Sequence, residues 1–432
     1  GLSFSLNPGV PAFRVLTEAA QYVLITEDEA RKELGFEQGK YKATAYYWKR
    51  LVLALSPVDI TVSDLVVGKV KTFLLSDHLS LKVLVHKIYP DGSKTLSVSM
   101  VNDWLSDNEY ITDAIHAFYQ PAINIVALYN NSFGDVRRNI HFNQNDELAE
   151  LELLYRKIGN FASGHGCAVN WNVDSDGEVN ELYTVFLPRY EVLQMMPSTA
   201  FNHDILKMKY LASASKDDVI DGLKLLTGAY SHWIEMKSAE IALLPPEYQD
   251  AANKNIDKCR QTLGTLNASI ASLKEELPFK AFALANEAMF LQRKQMLKNS
   301  GNFTADEEIK WYPFQLAFFL QEIVSIIDPD SWQRKSVDLL WFPTGGGKTE
   351  AYLGIAAFTI FYRRFVNKEH GAGVSVLMRY TLRLLSFQQF ERAAALVCAS
   401  EVLRRKKHIP GGEIGIGLWA GKALTPNTIE MA

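Results

Sequence analysis

The chain has 432 residues, 48% hydrophobic and 22% charged, with a formal net charge of −4. That is material for roughly two to four soluble domains, and the charge sum alone offers nothing in favour of a nucleic-acid partner. Cys167, Cys259 and Cys398 stand far apart with no CxxC pair, which argues against a disulfide framework and a cysteine-rich zinc site and makes a reducing, cytoplasmic location the default. The apolar run beside the glycine loop, Leu353 to Tyr362, is too short for a bilayer, which needs about 20 residues, so no membrane association is expected. The first residues have neither the charged start nor the apolar core of a secretory signal. They also lack an initiator methionine, so Gly1 is not expected to be the biological start.

Three regions follow in chain order, and the fold class expected is mixed. Residues 1–200 read as an α+β domain. Leu79–Tyr89 and Ser93–Val101 alternate around Pro90-Asp91-Gly92 as a hairpin, and Cys167–Val173 and Glu181–Leu187 do so around Asp174–Gly177. Leu148–Ile158 between them has helical texture. Residues 201–300 form a helical region, with helices over Asp217–Ser238, Pro246–Glu276 and Phe279–Leu297, broken by Pro245, Pro246 and Pro278. The stretch Asn299-Ser-Gly-Asn302 reads as a linker. Residues 303–432 have the rhythm of a RecA-like α/β parallel sheet: helix Phe314–Ile327, strand Val337–Phe342, a glycine loop, helix Thr349–Val366, strand Gly373–Met378, helix Leu382–Arg405 and strand Ile414–Trp419.

The loop carries the chemistry. It runs Pro343, Thr344, Gly345, Gly346, Gly347, Lys348, Thr349, Glu350, between an apolar strand and a helix. Three glycines let the backbone wrap a polyphosphate with N–H groups turned inward, and the helix begins at the anion. Lys348 is placed to pair with the β- and γ-phosphates of ATP, and the Thr349 hydroxyl to complete the shell of a Mg²⁺ ion. Lys348 and Thr349 are therefore the candidate catalytic residues, with Glu350 closing the loop.

A strict P-loop has glycine or alanine where this chain has Phe342, which argues against kinases and GTPases. The Pro-Thr-Gly-Gly-Gly-Lys-Thr core instead resembles superfamily 2 helicases. In that resemblance Gln315, 33 residues before Lys348, corresponds to a glutamine whose amide reads adenine, since an amide offers a donor and an acceptor together. The alternative is a solvent-facing helix glutamine. Arg379-Tyr-Thr-Leu-Arg383 resembles the strand–helix junction that grips nucleic-acid phosphates, with Arg379, Thr381 and Arg383 as candidate DNA contacts; the alternative is an ordinary junction. From residue 351 onward eleven Lys and Arg face five Glu, a surplus of six in a chain whose total is −4. That asymmetry suits a phosphate-facing lobe, although the Arg404–Lys407 run alone reads as a solvated helix end.

Several stretches resemble one family in particular. Phe342–Gly354, Arg379–Leu385 with Gln388–Ala393, and Gly415–Trp419 with Thr425-Pro-Asn427 are similar to the DrmA family, the large helicase subunits of bacterial DISARM anti-phage systems. Gly164–Trp171 and Phe186-Leu-Pro188 are similar to that family's N-terminal portion. The resemblance implies an ATP-dependent DNA helicase or translocase, DNA with a single-stranded region as ligand, and a DrmB-like partner of the DUF1998 kind. It also places a Walker B acid, an arginine finger and a second RecA lobe beyond Ala432, so that this stretch alone is expected not to hydrolyse ATP. Two other readings stay open: a binding or scaffolding module whose loop serves assembly, and an RNA-directed motor. His165 and Cys167, lacking a second His or Cys close by in the sequence, read as a tight glycine turn with a buried histidine rather than a metal or thiol site.

Overall fold

Period-two apolar patterning in the first 190 residues is met by strands, and period-3.6 patterning after residue 205 by helices. The computed structural model describes residues 1–34, 47–106, 110–129, 132–136, 146–189, 200–301, 305–340, 347–380 and 383–419. Chain contacts divide it into Gly1–Glu191 and Val192–Ala432.

In chain order the first unit holds β1 (Leu2–Leu6), β2 (Ala12–Ile25), α1 (Glu27–Leu34), β3 (Tyr47–Val52), β4 (Val58–Thr61), β5 (Val70–Ser76), β6 (Leu79–Ile88) and β7 (Lys94–Asn102). Then come α2 (Tyr110–Ile115), β8 (Tyr119–Ala127), β9 (Phe133–Gly134), α3 (Asp146–Leu154), β10 (Ala162–Gly164), β11 (Ala168–Val173) and β12 (Val179–Val185). One sheet runs β10-β1-β7-β6-β5 with β9 also on β1; the other runs β11-β12-β8-β2-β3 with β4 also on β2. Both hairpins expected from the alternation are present. Gly92 (φ 87°) and Gly177 (φ 84°) turn them, in a left-handed conformation that costs glycine least. Asp174 Oδ1 accepts from the N–H groups of Asp176 and Glu178 and so closes the second turn.

Inward residues of both sheets share one core. Leu2, Phe4, Leu81, Val83 and Val98 of one sheet pack with Phe13, Val15, Ile123, Ile125 and Leu182 of the other. Phe4 meets Phe13 edge-on at 5.6 Å and Phe133 at 5.4 Å, the arrangement aromatic quadrupoles favour. The α+β reading thus sharpens to two facing antiparallel sheets with short helices at the margins, because the apolar faces of the strands bury each other. The buried-histidine reading is corrected: His165 is exposed, and its Nε2 lies 2.6 Å from Ser3 Oγ on β1. The glycine turn itself is present, with Gly166 at φ 72°.

The second unit holds α4 (Met208–Ser213), α5 (Lys216–Glu240), α6 (Pro246–Ser272), α7 (Glu276–Asn299), α8 (Pro313–Ile327), α9 (Lys348–Asn367) and α10 (Arg383–Lys406). Pro246 opens α6 and Pro278 falls in the first turn of α7, where a missing N–H costs no helical bond. Buried residues of α5–α10 form one cluster around the fully buried Trp311, Phe282, Phe319, Phe358 and Phe361. The helical middle region and the loop-bearing region therefore share a core.

The expected parallel sheet is not present among the described residues. Residues 337–340, 374–378 and 414–419 carry no strand pairing. Several of their apolar side chains face solvent, with Val337 96% and Leu377 83% exposed. Strand propensity alone cannot hold such segments, since a strand's backbone groups need a neighbour to bond to. Among the described residues no helix is long and apolar enough to cross a membrane, and no group of three or more His, Cys, Asp or Glu could hold a metal ion.

One carboxyl in this unit is out of its usual range. Glu322 on α8 lines a polar cleft with Lys258, Gln261, Trp332 and Asp338, and burial together with the Asp338 charge pushes it up to about 7. Its Oε1 is buried without a hydrogen-bond partner. A carboxyl raised in the folded state contributes stability below its unfolded value and loses it as pH rises through the folded one. Stability is thus expected to fall by on the order of 1 kcal/mol between about pH 4.5 and 7, after allowing for solvent screening. Denaturant titrations across that window should show the slope in the native chain and a flatter profile in Glu322→Gln.

Candidate functional site

The described part of the glycine loop begins at Gly347; Pro343, Thr344, Gly345 and Gly346 lie outside the described residues. Gly347 is the N-cap of α9 at φ 88°, and a Cβ there would come within 2.6 Å of Gln315 Nε2. Conformation and space both require glycine. Lys348, Thr349 and Glu350 form the first turn of α9, so the helix's positive dipole end coincides with the lysine and the hydroxyl. A helix N-terminus, a cation and a hydroxyl stand together there, the combination an ATP polyphosphate with Mg²⁺ would call on, while the space beside Gly347 is taken by the Gln315 amide.

Gln315 is brought to the loop, where its side-chain amide bonds backbone groups. It is buried at 3% exposure. Its Oε1 accepts from Tyr312 N at 2.8 Å, as the return half of a capping box on α8. Its Nε2 donates to Gly347 O at 2.7 Å. One donor and one acceptor of the amide are thus engaged in fastening α8 to the start of α9. Only the second N–H and the second lone pair stay available for a base edge.

Glu350 carries a feature that loop composition does not reveal. Its Oε1 bonds to Arg392 Nη2 of α10 and lies 3.9 Å from Arg293 Nη1 of α7. Neither arginine was singled out from sequence, because Arg392 and Arg293 lie 42 and 57 residues from Glu350 in the chain. Of the candidate nucleic-acid contacts, Arg379 is exposed. Thr381 lies outside the described residues, and of Arg383 only the backbone is described.

The local basic surplus is largely engaged within the chain. Arg363 donates to Val374 O at 2.7 Å and Ser375 Oγ at 3.1 Å. Arg364 is buried, bonding Ile360 O and Glu413 O. Arg404 grips Glu401 through two bonds of 2.7 and 2.8 Å, Arg405 adds a third, and Lys407 bonds Glu287 at 2.6 Å. Glu401 also accepts from Ile414 N at 3.0 Å, so these bonds tie residue 414 to α10. The Arg404 bonds lead in holding the Glu401 carboxyl down at about 2. A depressed carboxyl contributes stability above its unfolded value and loses it as pH falls through the folded one. Glu401→Gln is expected to cost ~1 kcal/mol at neutral pH and to blunt acid unfolding between about pH 4.5 and 2, measurable by circular dichroism.

A stretch of 303 residues, 65% of the chain, is 36% identical to the DISARM protein DrmA of Bacillus paralicheniformis. Over that stretch the chain is similar to DrmA. The similarity covers 27% of the relative, so the chain spans about a quarter of the length of the curated protein it matches. No protein-family profile matches the chain. The similarity covers 65% of the chain, so it reaches well beyond the glycine loop, a motif that many unrelated proteins share.

Proposed function

We propose that the chain is the nucleotide-binding part of an ATP-driven DNA helicase or translocase acting in DISARM-type anti-phage defence. The observation that carries this reading is the start of α9: a left-handed Gly347 delivers Lys348 and Thr349 into the first turn of a buried helix. The similarity to DrmA supplies the defence context. In this reading Lys348 binds the terminal phosphates, and Thr349 holds Mg²⁺, which screens phosphate charge when bound. Gln315 keeps the loop seated on α8 and offers its remaining donor and acceptor to the base. Residues 303–432 are a RecA-like lobe, whose parallel sheet would take up residues 337–342, 373–378 and 414–419. Arg379, Thr381 and Arg383 contact the phosphates of DNA with a single-stranded region. A DrmB-like DUF1998 protein is the proposed partner, and the cytoplasm the proposed location.

The engagement of Arg363, Arg364, Arg404, Arg405 and Lys407 within the chain favours a second reading, in which the loop serves assembly rather than a motor. The two separate on the full-length protein. ATP hydrolysis stimulated by single-stranded DNA and lost in Lys348→Ala supports the motor. Unstimulated turnover indifferent to that change supports the scaffold, and stimulation by RNA in place of DNA redirects the substrate.

A further inference from the structure

A carboxylate in the first turn of a phosphate-binding helix presents a physical conflict. Glu350 is the third residue of α9, directly after Lys348 and Thr349. An acid there suits the helix dipole when the site is empty, yet it competes with an incoming polyphosphate for the same positive field. The Glu350 side chain is only 13% exposed, so water screens it poorly. Its Oε2 is buried without a hydrogen-bond partner and lies on the loop side, 3.6 Å from where a Cβ on Gly347 would stand. Its Oε1 is held by Arg392, with Arg293 nearby.

Arg392 is also a structural junction. Its carbonyl accepts from Gln292 Nε2 of α7 at 3.5 Å, next to Arg293 in sequence. Arg392 itself lies on α10, the helix that Arg383 of the stretch proposed to meet DNA begins. One arginine on that helix therefore meets the phosphate-loop helix α9 through Glu350 and α7 through its carbonyl.

We propose that Arg392 is a positioning residue that neutralises Glu350 beside the phosphate loop and couples nucleotide binding there to the 379–383 segment. This rests on the reading of the loop as an ATP site. Removing Arg392 leaves an ionised carboxylate facing the phosphates, while removing both charges leaves none. The coupling needs the tie itself, so neutralising both partners does not restore it.

The test uses full-length protein, a fluorescent ATP analogue for equilibrium affinity, and turnover with and without single-stranded DNA. Arg392→Gln is expected to weaken nucleotide binding about tenfold. Arg392→Lys, which keeps the charge, should stay within about threefold of the native protein. Adding Glu350→Gln to Arg392→Gln should restore affinity, while stimulation by DNA stays low in both. A merely structural role for Arg392 would not be rescued by removing the acid. Native affinity in Arg392→Gln, failed rescue in the double variant, or full DNA stimulation in the double variant would overturn the proposal. Should Arg392→Gln not fold, the double variant, which strands no charge, decides by the same two readouts. If Lys348→Ala abolishes binding while Arg392→Gln leaves it native, only this inference falls. If native protein binds no nucleotide, the ATP reading falls first.

Discussion

Lys348→Ala is expected to weaken ATP binding by roughly 10- to 100-fold and to remove DNA-stimulated turnover in the full-length protein. The side chain leaves the first turn of α9, where Gly347 turns the chain at φ 88° and the helix dipole is positive. Removing the ammonium deletes charge-assisted bonds worth about 1.5–3 kcal/mol, which is where the affinity range comes from. Turnover falls further than binding because charge grows on the phosphate oxygens as the bond breaks, and the lysine is placed to meet it. Titration with a fluorescent ATP analogue and a phosphate-release assay measure the two effects. Because the lysine is half-buried at a helix start, the fold should survive, with an unfolding midpoint close to that of the native protein. Unchanged turnover in a folded variant would remove the motor reading.

Trp311→Ala carries the largest expected effect on stability, about 3–5 kcal/mol. Trp311 is fully buried, and its Nε1 donates to Asn286 Oδ1 of α7 at 2.8 Å. Its backbone N–H bonds Leu206 O at 2.8 Å. Its ring edge lies against α9 at Gly354, so closely that a Cβ there would stand 2.9 Å from Trp311 Cη2. The indole thus fills the space among α7, α8 and α9, and truncation opens a cavity while stranding the Asn286 amide oxygen in the core. Urea denaturation followed by circular dichroism gives the magnitude. Trp311→Phe separates the terms: it keeps most of the ring volume and loses the hydrogen bond, for an expected cost of ~1–3 kcal/mol. Since α8 seats Gly347 through Gln315, Trp311→Ala should also weaken nucleotide binding before the fold is lost.

How much was legible in the chain depended on the range of the interaction. The helices from Lys216 onward were readable almost to their ends, because apolar spacing and Pro246 and Pro278 act within a few residues. The hairpins around Gly92 and Gly177 were readable for the same reason. That the strands of the first unit face one another as two sheets was not readable, since pairings such as Leu2 with Gly164 join residues far apart in sequence. The parallel sheet expected from the strand rhythm at 337–342, 373–378 and 414–419 is likewise a matter of partners, and the described residues carry none of its pairing.

The candidate site divides along the same line. Gly347, Lys348 and Thr349 stand together because they are consecutive, so the proposed phosphate loop is legible from local order alone. Gln315 was recognised as belonging to the loop, but only packing decided what its amide does: it caps α8 and holds Gly347 O. Packing also decided which acid the basic run meets, since Arg404 and Arg405 both bond Glu401 while the Arg405 side chain stays exposed. Glu350 reads in sequence as the residue after the loop. Only the meeting of α7, α9 and α10 sets Arg392 and Arg293 against it, because charges on separate helices become neighbours through the apolar core that brings those helices together.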